Sequence, residues 1–412
     1  MPTRFRELAV VAALAVTTLV TPALAAAPPA SAAAQVLQPD DDPFYAVPSH
    51  VDGKPDGTVL RFRRLPASAL AVPAPAHVWQ LLYKTRDNAG KATATAGTLL
   101  VPTARWTGPG ARPLLSYQTP EDGLATTCAP SYLLRAGSVT SDAPSEGQAR
   151  FDRGQVADAV GRGWAVVVPD YEGPKSEFLG TEAAAHGVLD GIRAARSFPL
   201  ARLDRDGPLG LWGYSGGGLA TAAAAQRQAR YAPELEISGI AEGGVPADVN
   251  AALATLGGQP FSGWIPFGLA ALRNAHPDED VDQYLNDLGR ESADRVAHGC
   301  AGAAIVAGPH FATVQQFEAS PGSLTSGAFH DFARAISPVG MGGTPTAPVL
   351  VYHGTADELL PLSAARELAE QYRARGADVV LVEHEGLTHG AGQSFGVAGA
   401  VAFLQQRFSA AR

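Results

Sequence analysis

The chain has 412 residues, a formal net charge of −9, and a composition that is 46% apolar and 17% charged. This length suits one large α/β domain with an insertion, or two domains, and the balance of apolar and charged residues excludes a disordered chain. An acidic chain presents no basic surface, so no nucleic-acid partner is expected.

Arg4 and Arg6 precede an apolar run at 8–20, and small residues then offer cleavage sites after Ala25 or Ala32. This pattern predicts a signal peptide over 1–25, with cleavage as late as 32, and a secreted mature chain. The run is short for a membrane span, and no later stretch reaches about 20 apolar residues. Residues 26–43, rich in Ala and Pro, read as a flexible lead-in.

Strand-like segments follow at 78–85, 93–102, 111–119, 163–170, 207–213, 236–242, 347–354 and 378–386. The later ones are continuous apolar runs, the pattern of parallel strands buried on both faces. Helical stretches at 151–162, 180–197, 215–230, 361–375 and 394–409 alternate with them. The alternation predicts an α/β fold with a mostly parallel sheet flanked by helices. Between Glu242 and Thr346 the alternation stops. A connection of that length must carry structure of its own. Residues 243–345 therefore read as an inserted α-helical cap, and 44–242 with 346–412 as the core.

Two Gly-x-Ser-x-Gly matches occur, one at Gly213–Gly217 around Ser215 and one at Gly392–Gly396 around Ser394. In a strand–serine–helix elbow the flanking residues must be small, because strand and helix approach closely. Gly213, Tyr214, Ser215, Gly216 and Gly217 sit between a strand-like and a helix-like run. Ser394 has no strand before it and no His after it, so it reads as a helix cap. A nucleophilic Ser215 requires a base and an orienting carboxylate later in the chain. Asp357, in HGTADELLP, follows a buried strand by a few residues. Glu358 is an acidic neighbour that could be confused with it, and by itself Asp357 would also suit a helix start. Only His384 and His389 follow, and His389 lies in a Gly-flanked loop beyond the strand. His389 is the expected base, with His384 packed near the strand end. The H-E-x-x-x-H spacing of these two histidines does not match a helical zinc motif, so no metal is expected. The Gly216 N–H is the first expected oxyanion donor, and the second should come from the loop at 114–123. Cys128 and Cys300 are the two cysteines. In an exported chain they most simply form one disulfide, with two separate buried thiols as the alternative.

The stretches SYQTPEDG, CAPSY, VVVPDYEGP, LWGYSGGG, HGTADELLP and LTHG, within about 115–390, resemble the secretory lipase family of α/β-hydrolases, as a bacterial member. The resemblance implies an α/β-hydrolase fold with a helical cap over an acyl-binding tunnel. It places Ser215, Asp357 and His389 in the triad and Asp122 beside Gly216 in the oxyanion hole. It also gives Asp170, Tyr171 and Glu172 a structural role. A Cys128–Cys300 bridge would staple cap to core. The short C-terminal end departs from the longer tail of fungal members. Together these readings predict a secreted lipase or esterase that cleaves acylglycerols or similar lipid esters through an acyl-Ser215 intermediate, with no cofactor. Its partners would be a lipid or small ester substrate and, transiently, a lipid interface, with oligomeric state open. Trp264 and Phe267, in the apolar stretch FSGWIPFGLAAL, are candidates for the acyl pocket. The alternatives are a secreted serine peptidase or other acyl hydrolase on the same fold, or a non-catalytic binding protein.

Overall fold

A computed structural model describes residues 36–70, 75–135, 138 and 143–411, and residues Gln35–Arg412 form one compact unit. The predicted signal peptide lies outside the described residues. Residues 36–43, expected as a flexible lead-in, are docked where they are described. Pro39–Asp41 form a 3-10 turn, and the buried Asp42 carboxylate pairs with Arg63 at 2.6 Å.

Nine strands form one sheet among the described residues: β1 (Val59–Leu65), β2 (Ala76–Arg86), β3 (Ala92–Pro102), β4 (Leu114–Gln118), β5 (Ala165–Pro169), β6 (Leu209–Tyr214), β7 (Gly239–Gly243), β8 (Val349–Gly354) and β9 (Val379–His384). Their order is β1-β2-β3-β5-β4-β6-β7-β8-β9. The pairs from β1 to β5 are antiparallel, and those from β5 through β4 to β9 are parallel. The fold is thus the α/β-hydrolase type, a mostly parallel sheet between helical layers.

The helices are α1 (Pro130–Leu133), α2 (Ala143–Gly161), α3 (Thr181–Ser197), α4 (Gly216–Tyr231), α5 (Val249–Leu256), α6 (Trp264–Ala275), α7 (Asp287–Val296), α8 (Ala301–Ala307), α9 (Gly327–Ile336), α10 (Pro338–Met341), α11 (Leu362–Ala374) and α12 (His389–Ala410). One face of the sheet packs Leu211, Ile240 and Val351 against helix residues such as Val188, Ala224 and Leu368. The other packs Trp212, Ala241 and Tyr352 against Val156, Leu404 and Phe408. Burial on both faces explains why the central strands read as unbroken apolar runs. The helices α5 to α10 lie between β7 and β8, with an apolar cluster around Ile265, Phe267, Leu269 and Phe329.

β1 was not foreseen. Its sequence, VLRFRRL, carries three arginines and lies at the sheet edge, where only one neighbour covers it. Ser394 also differs from expectation. The last helix begins at His389, capped by Thr388, so Ser394 lies inside it and donates to Gly390 O at 3.2 Å.

Candidate active site

Ser215 stands between β6 and α4 with φ 54° and ψ −125°. Such a backbone costs of order 1–3 kcal/mol and persists only where the surroundings enforce it. They do so here through close packing. A Cβ on Gly213 would collide with the Gly217 carbonyl, and one on Gly217 with the Gln118 carbonyl. Ser215 N–H donates to Gly243 O at 3.0 Å. Gly216 opens α4, so its N–H has no acceptor within the helix.

The Ser215 Oγ lies 2.9 Å from His389 Nε2, and His389 Nδ1 lies 2.7 Å from Asp357 Oδ2. The second Asp357 oxygen accepts from the backbone N–H of Leu359 at 3.0 Å and of Leu360 at 2.9 Å. Burial pushes this carboxyl up. The hydrogen bond and charge of His389, with His353 and the Leu360 N–H, outweigh that and hold it below the ordinary Asp value. Asp357 is therefore a carboxylate at neutral pH.

His389 is expected from the sequence in a loop but is the first residue of α12. Its backbone is held from both sides: its N–H donates to Glu358 Oε2 at 2.9 Å, and its C=O accepts from Tyr214 OH at 2.7 Å. Glu358 thus acts beside Asp357 by anchoring the histidine backbone. His353, at the other end of HGTAD, is a second histidine on Asp357, which chain order after Asp357 could not reveal. Its Nε2 lies 3.3 Å from Asp357 Oδ2 and 3.0 Å from Leu360 O. Burial lowers its pKa, which favours a neutral ring. His384 ends β9, edge-on to Tyr352.

Asp122 lies across from Gly216 with φ 40°. Its Oδ1 occupies the space that a Cβ on Gly216 would fill, and this oxygen has no hydrogen-bond partner among the described residues. Burial raises the Asp122 pKa to about 7, against the opposing pull of His389. Asp122 O accepts from Ala301 N at 3.0 Å, Leu124 N donates to Gly299 O at 2.9 Å, and Cys128 and Cys300 are joined by a disulfide. The inserted helices are thereby fastened to the loop that follows β4.

Asp122, Ser215 and Gly216 line an apolar cavity. Beyond them it runs between α5, through Val249, Ala252, Leu253 and Leu256, and α6, through Trp264 and Gly268. Those α5 positions recur every three or four residues and so share one helix face. Trp264 lines the cavity. Phe267 does not: it is fully buried and packs against Phe178 and Trp264 in the apolar cluster of the inserted helices. The neighbouring Gly268 takes the lining position, and a Cβ there would meet nothing within 4 Å.

Residues 144–412 match the family described as secretory lipase. The chain belongs to the secretory lipase family. It is 34% identical over 353 residues to a Mycobacterium tuberculosis protein described as a probable inactive lipase, covering 83% of this chain and 76% of that one. It is also 34% identical over 353 residues to lipase A of Arthroderma benhamiae, covering 83% of this chain and 74% of that one. The crystal structure of Candida antarctica lipase A in its closed state superposes with a TM-score of 0.81 at 28% identity, over 92% of this chain and 88% of that chain. Relatives occur in bacteria and fungi alike, so the expectation of a bacterial member finds no support there.

Proposed function

We propose that the protein is a secreted serine carboxylic-ester hydrolase that cleaves acylglycerols or similar lipid esters through an acyl-Ser215 intermediate. The observation that carries this reading is the Ser215–His389–Asp357 hydrogen-bond chain whose serine lines an apolar cavity. The family's name and its lipase relatives support the same substrate class.

In this mechanism Ser215 Oγ attacks the ester carbonyl while His389 Nε2 takes its proton. The Asp357 carboxylate, hydrogen-bonded to Nδ1, fixes the ring tautomer and stabilises the imidazolium. The tetrahedral intermediate collapses, His389 protonates the departing alcohol, and the acyl group remains on Ser215. Water, activated by the same imidazole, then releases the acid. The oxyanion is stabilised by the Gly216 N–H and by Asp122. An ionised Asp122 would repel an oxyanion, so the neutral carboxyl is the working form, donating its O–H. With Asp122 raised to about 7 by burial, this donor is lost as pH climbs through that value.

The test is hydrolysis of p-nitrophenyl butyrate and palmitate by the wild type and Ser215→Ala. Loss of about 10⁴-fold or more in the variant is expected on both esters. Near wild-type turnover by Ser215→Ala would reject the assignment. Turnover of peptide amides but not esters would favour the peptidase reading, and no turnover at all a binding role. Gly268→Leu should cut palmitate turnover while sparing butyrate, because a side chain added to this cavity-lining position on α6 would take space that the longer acyl chain needs. Equal loss on both esters would remove Gly268 from the acyl path.

A further inference from the structure

The tripeptide Asp170–Tyr171–Glu172 directly follows β5 and is buried in full, yet none of the steps above uses it. The Tyr171 and Glu172 side chains reach one neighbouring segment, the loop that leaves β4 and carries Asp122, while the Asp170 side chain reaches α1 beyond it. Tyr171 OH donates to Thr119 O at 2.8 Å and accepts from Glu121 N at 3.1 Å. Glu172 Oε2 accepts from Gly123 N at 3.2 Å. Asp170 accepts from Ser131 N at 2.7 Å and from Ser131 Oγ at 2.5 Å. The loop is thus gripped on both sides of Asp122 by a second strand's turn. That turn is itself fixed: Asp170 N donates to Ala96 O at 2.9 Å, and Thr95 Oγ1 donates to Asp170 O at 2.7 Å. Gly187 of α3 lets the helix come against Tyr171, since a Cβ there would lie 3.0 Å from the Tyr171 Cα.

The consequence falls on Asp122. Its carbonyl is engaged by Ala301 N, and its N–H, like that of Gly123, faces the Glu172 carboxyl. With its carbonyl engaged and its N–H turned toward Glu172, the side chain is the group that meets the cavity, and its Oδ1 does so unpartnered among the described residues. A loop carrying a non-glycine residue at positive φ does not hold that shape unaided.

We propose that Tyr171 and Glu172 are positioning residues for the oxyanion hole: they clamp the Asp122 loop so that the Asp122 carboxyl, and not its N–H, faces the reacting oxygen, and Asp170 anchors the turn that carries them. The proposal rests on the serine-hydrolase reading above. A clamp of this kind acts on the transition state, because the oxyanion exists only there.

The experiment compares wild type, Tyr171→Phe, Glu172→Gln, Glu172→Leu and Ser215→Ala on p-nitrophenyl butyrate. Each variant is also titrated with an alkylboronic acid, whose tetrahedral adduct on Ser215 places an oxygen in the hole, and with the matching alkyl aryl ether, which cannot form one. Tyr171→Phe removes one hydroxyl and no charge. It is expected to lower kcat by about 10- to 100-fold, the cost of a misplaced catalytic group, with KM and ether affinity within about twofold. Boronate affinity should fall by the same factor as kcat. Glu172→Leu should behave likewise, while Glu172→Gln, which keeps an acceptor for Gly123 N–H, should restore most of the activity. If Tyr171→Phe does not fold, the Gln/Leu pair at Glu172 gives the same discrimination. Wild-type kcat and boronate affinity in Tyr171→Phe and Glu172→Leu, with only a lower Tm, would overturn the clamp alone, provided Ser215→Ala is inactive. Full activity in Ser215→Ala would overturn both the clamp and the reading beneath it.

Discussion

The two sides of the site are made in different ways. On one side the Ser215 elbow is a local object: five consecutive residues, strained at one φ and packed through Gly213 and Gly217 between β6 and α4. On the other side the Asp122 loop has no such local logic. Its shape comes from the turn after β5, from Ala301 and Gly299 near α8, and from the Cys128–Cys300 bridge, which closes a sequence separation of 172 residues. The elbow is also nearly free of charge. The loop and the turn after β5 together concentrate the buried carboxyls Glu121, Asp122, Asp170 and Glu172, with Asp152 near Asp122, all pushed upward chiefly by burial. A strained backbone can thus be held by steric exclusion within a motif or by hydrogen bonds from afar. Only the first leaves a pattern in a short stretch of sequence.

The largest expected effect is at the elbow. Gly217→Ala would drive a methyl group into the backbone carbonyl of Gln118, where no flexible side chain can yield. Overpacking of that kind costs about 3 kcal/mol or more, and displacing Ser215 should lower ester hydrolysis by at least about 10²-fold. Urea denaturation and p-nitrophenyl butyrate turnover would measure the two losses together. An active, stable Gly217→Ala would show that the elbow is less confined than its geometry implies, which removes the contrast between the two sides.

The loop should respond next, and in a graded way. Asp122→Ala removes one oxyanion donor and is expected to cost about 10²- to 10³-fold in kcat. Asp122→Asn keeps a donor of similar shape, so it should retain more activity than Asp122→Ala. It should also lose the decline above pH 7 that ionisation of the carboxyl imposes on the wild type. Profiles of kcat against pH for the three proteins separate a side-chain donor from a backbone one: if the backbone N–H did the work, Asp122→Ala would keep wild-type kcat.

The same division decides what the sequence made legible. The parallel strands and most helices show as apolar runs and periodic stretches, because burial on both faces imposes them. Ser215, Asp357 and His389 stand out because an elbow motif, chain order and a short supply of histidines after Asp357 leave few choices. β1 hid behind its arginines, since an edge strand need not be apolar. The glycines of HGAGQ made His389 read as a loop residue. A Thr388 cap and two tertiary anchors, Glu358 and Tyr214, instead start a helix there. Phe267 reads as a pocket candidate because it lies in the apolar stretch FSGWIPFGLAAL, but that apolarity serves the core of the inserted helices, and the cavity is lined at Gly268, where a missing side chain leaves the room. The hydrogen bonds around Asp122 were invisible for a plainer reason: their partners lie tens to hundreds of residues away.

The smallest effect, and the one that tests the charge contrast directly, is at Asp152. Its carboxyl is buried on α2, accepts from Tyr117 OH at 2.8 Å and from Gln148 Nε2 at 3.2 Å, and is raised to about 7 by burial. The folded protein therefore holds this proton more tightly than the unfolded chain, where an Asp titrates near 3.9. Its contribution to stability is full below about pH 4, declines as pH rises, and is gone above about pH 7. Asp152→Asn keeps an acceptor for Tyr117 and removes the titration. Its Tm should fall less than that of the wild type between pH 4 and 7, by roughly 2–4 °C, while conservative changes at the uncharged elbow leave that slope unaltered. Parallel slopes for wild type and Asp152→Asn would mean that the proton on Asp152 is not retained on folding, and the contrast in charge between loop and elbow would then rest on Glu121, Asp122, Asp170 and Glu172 alone.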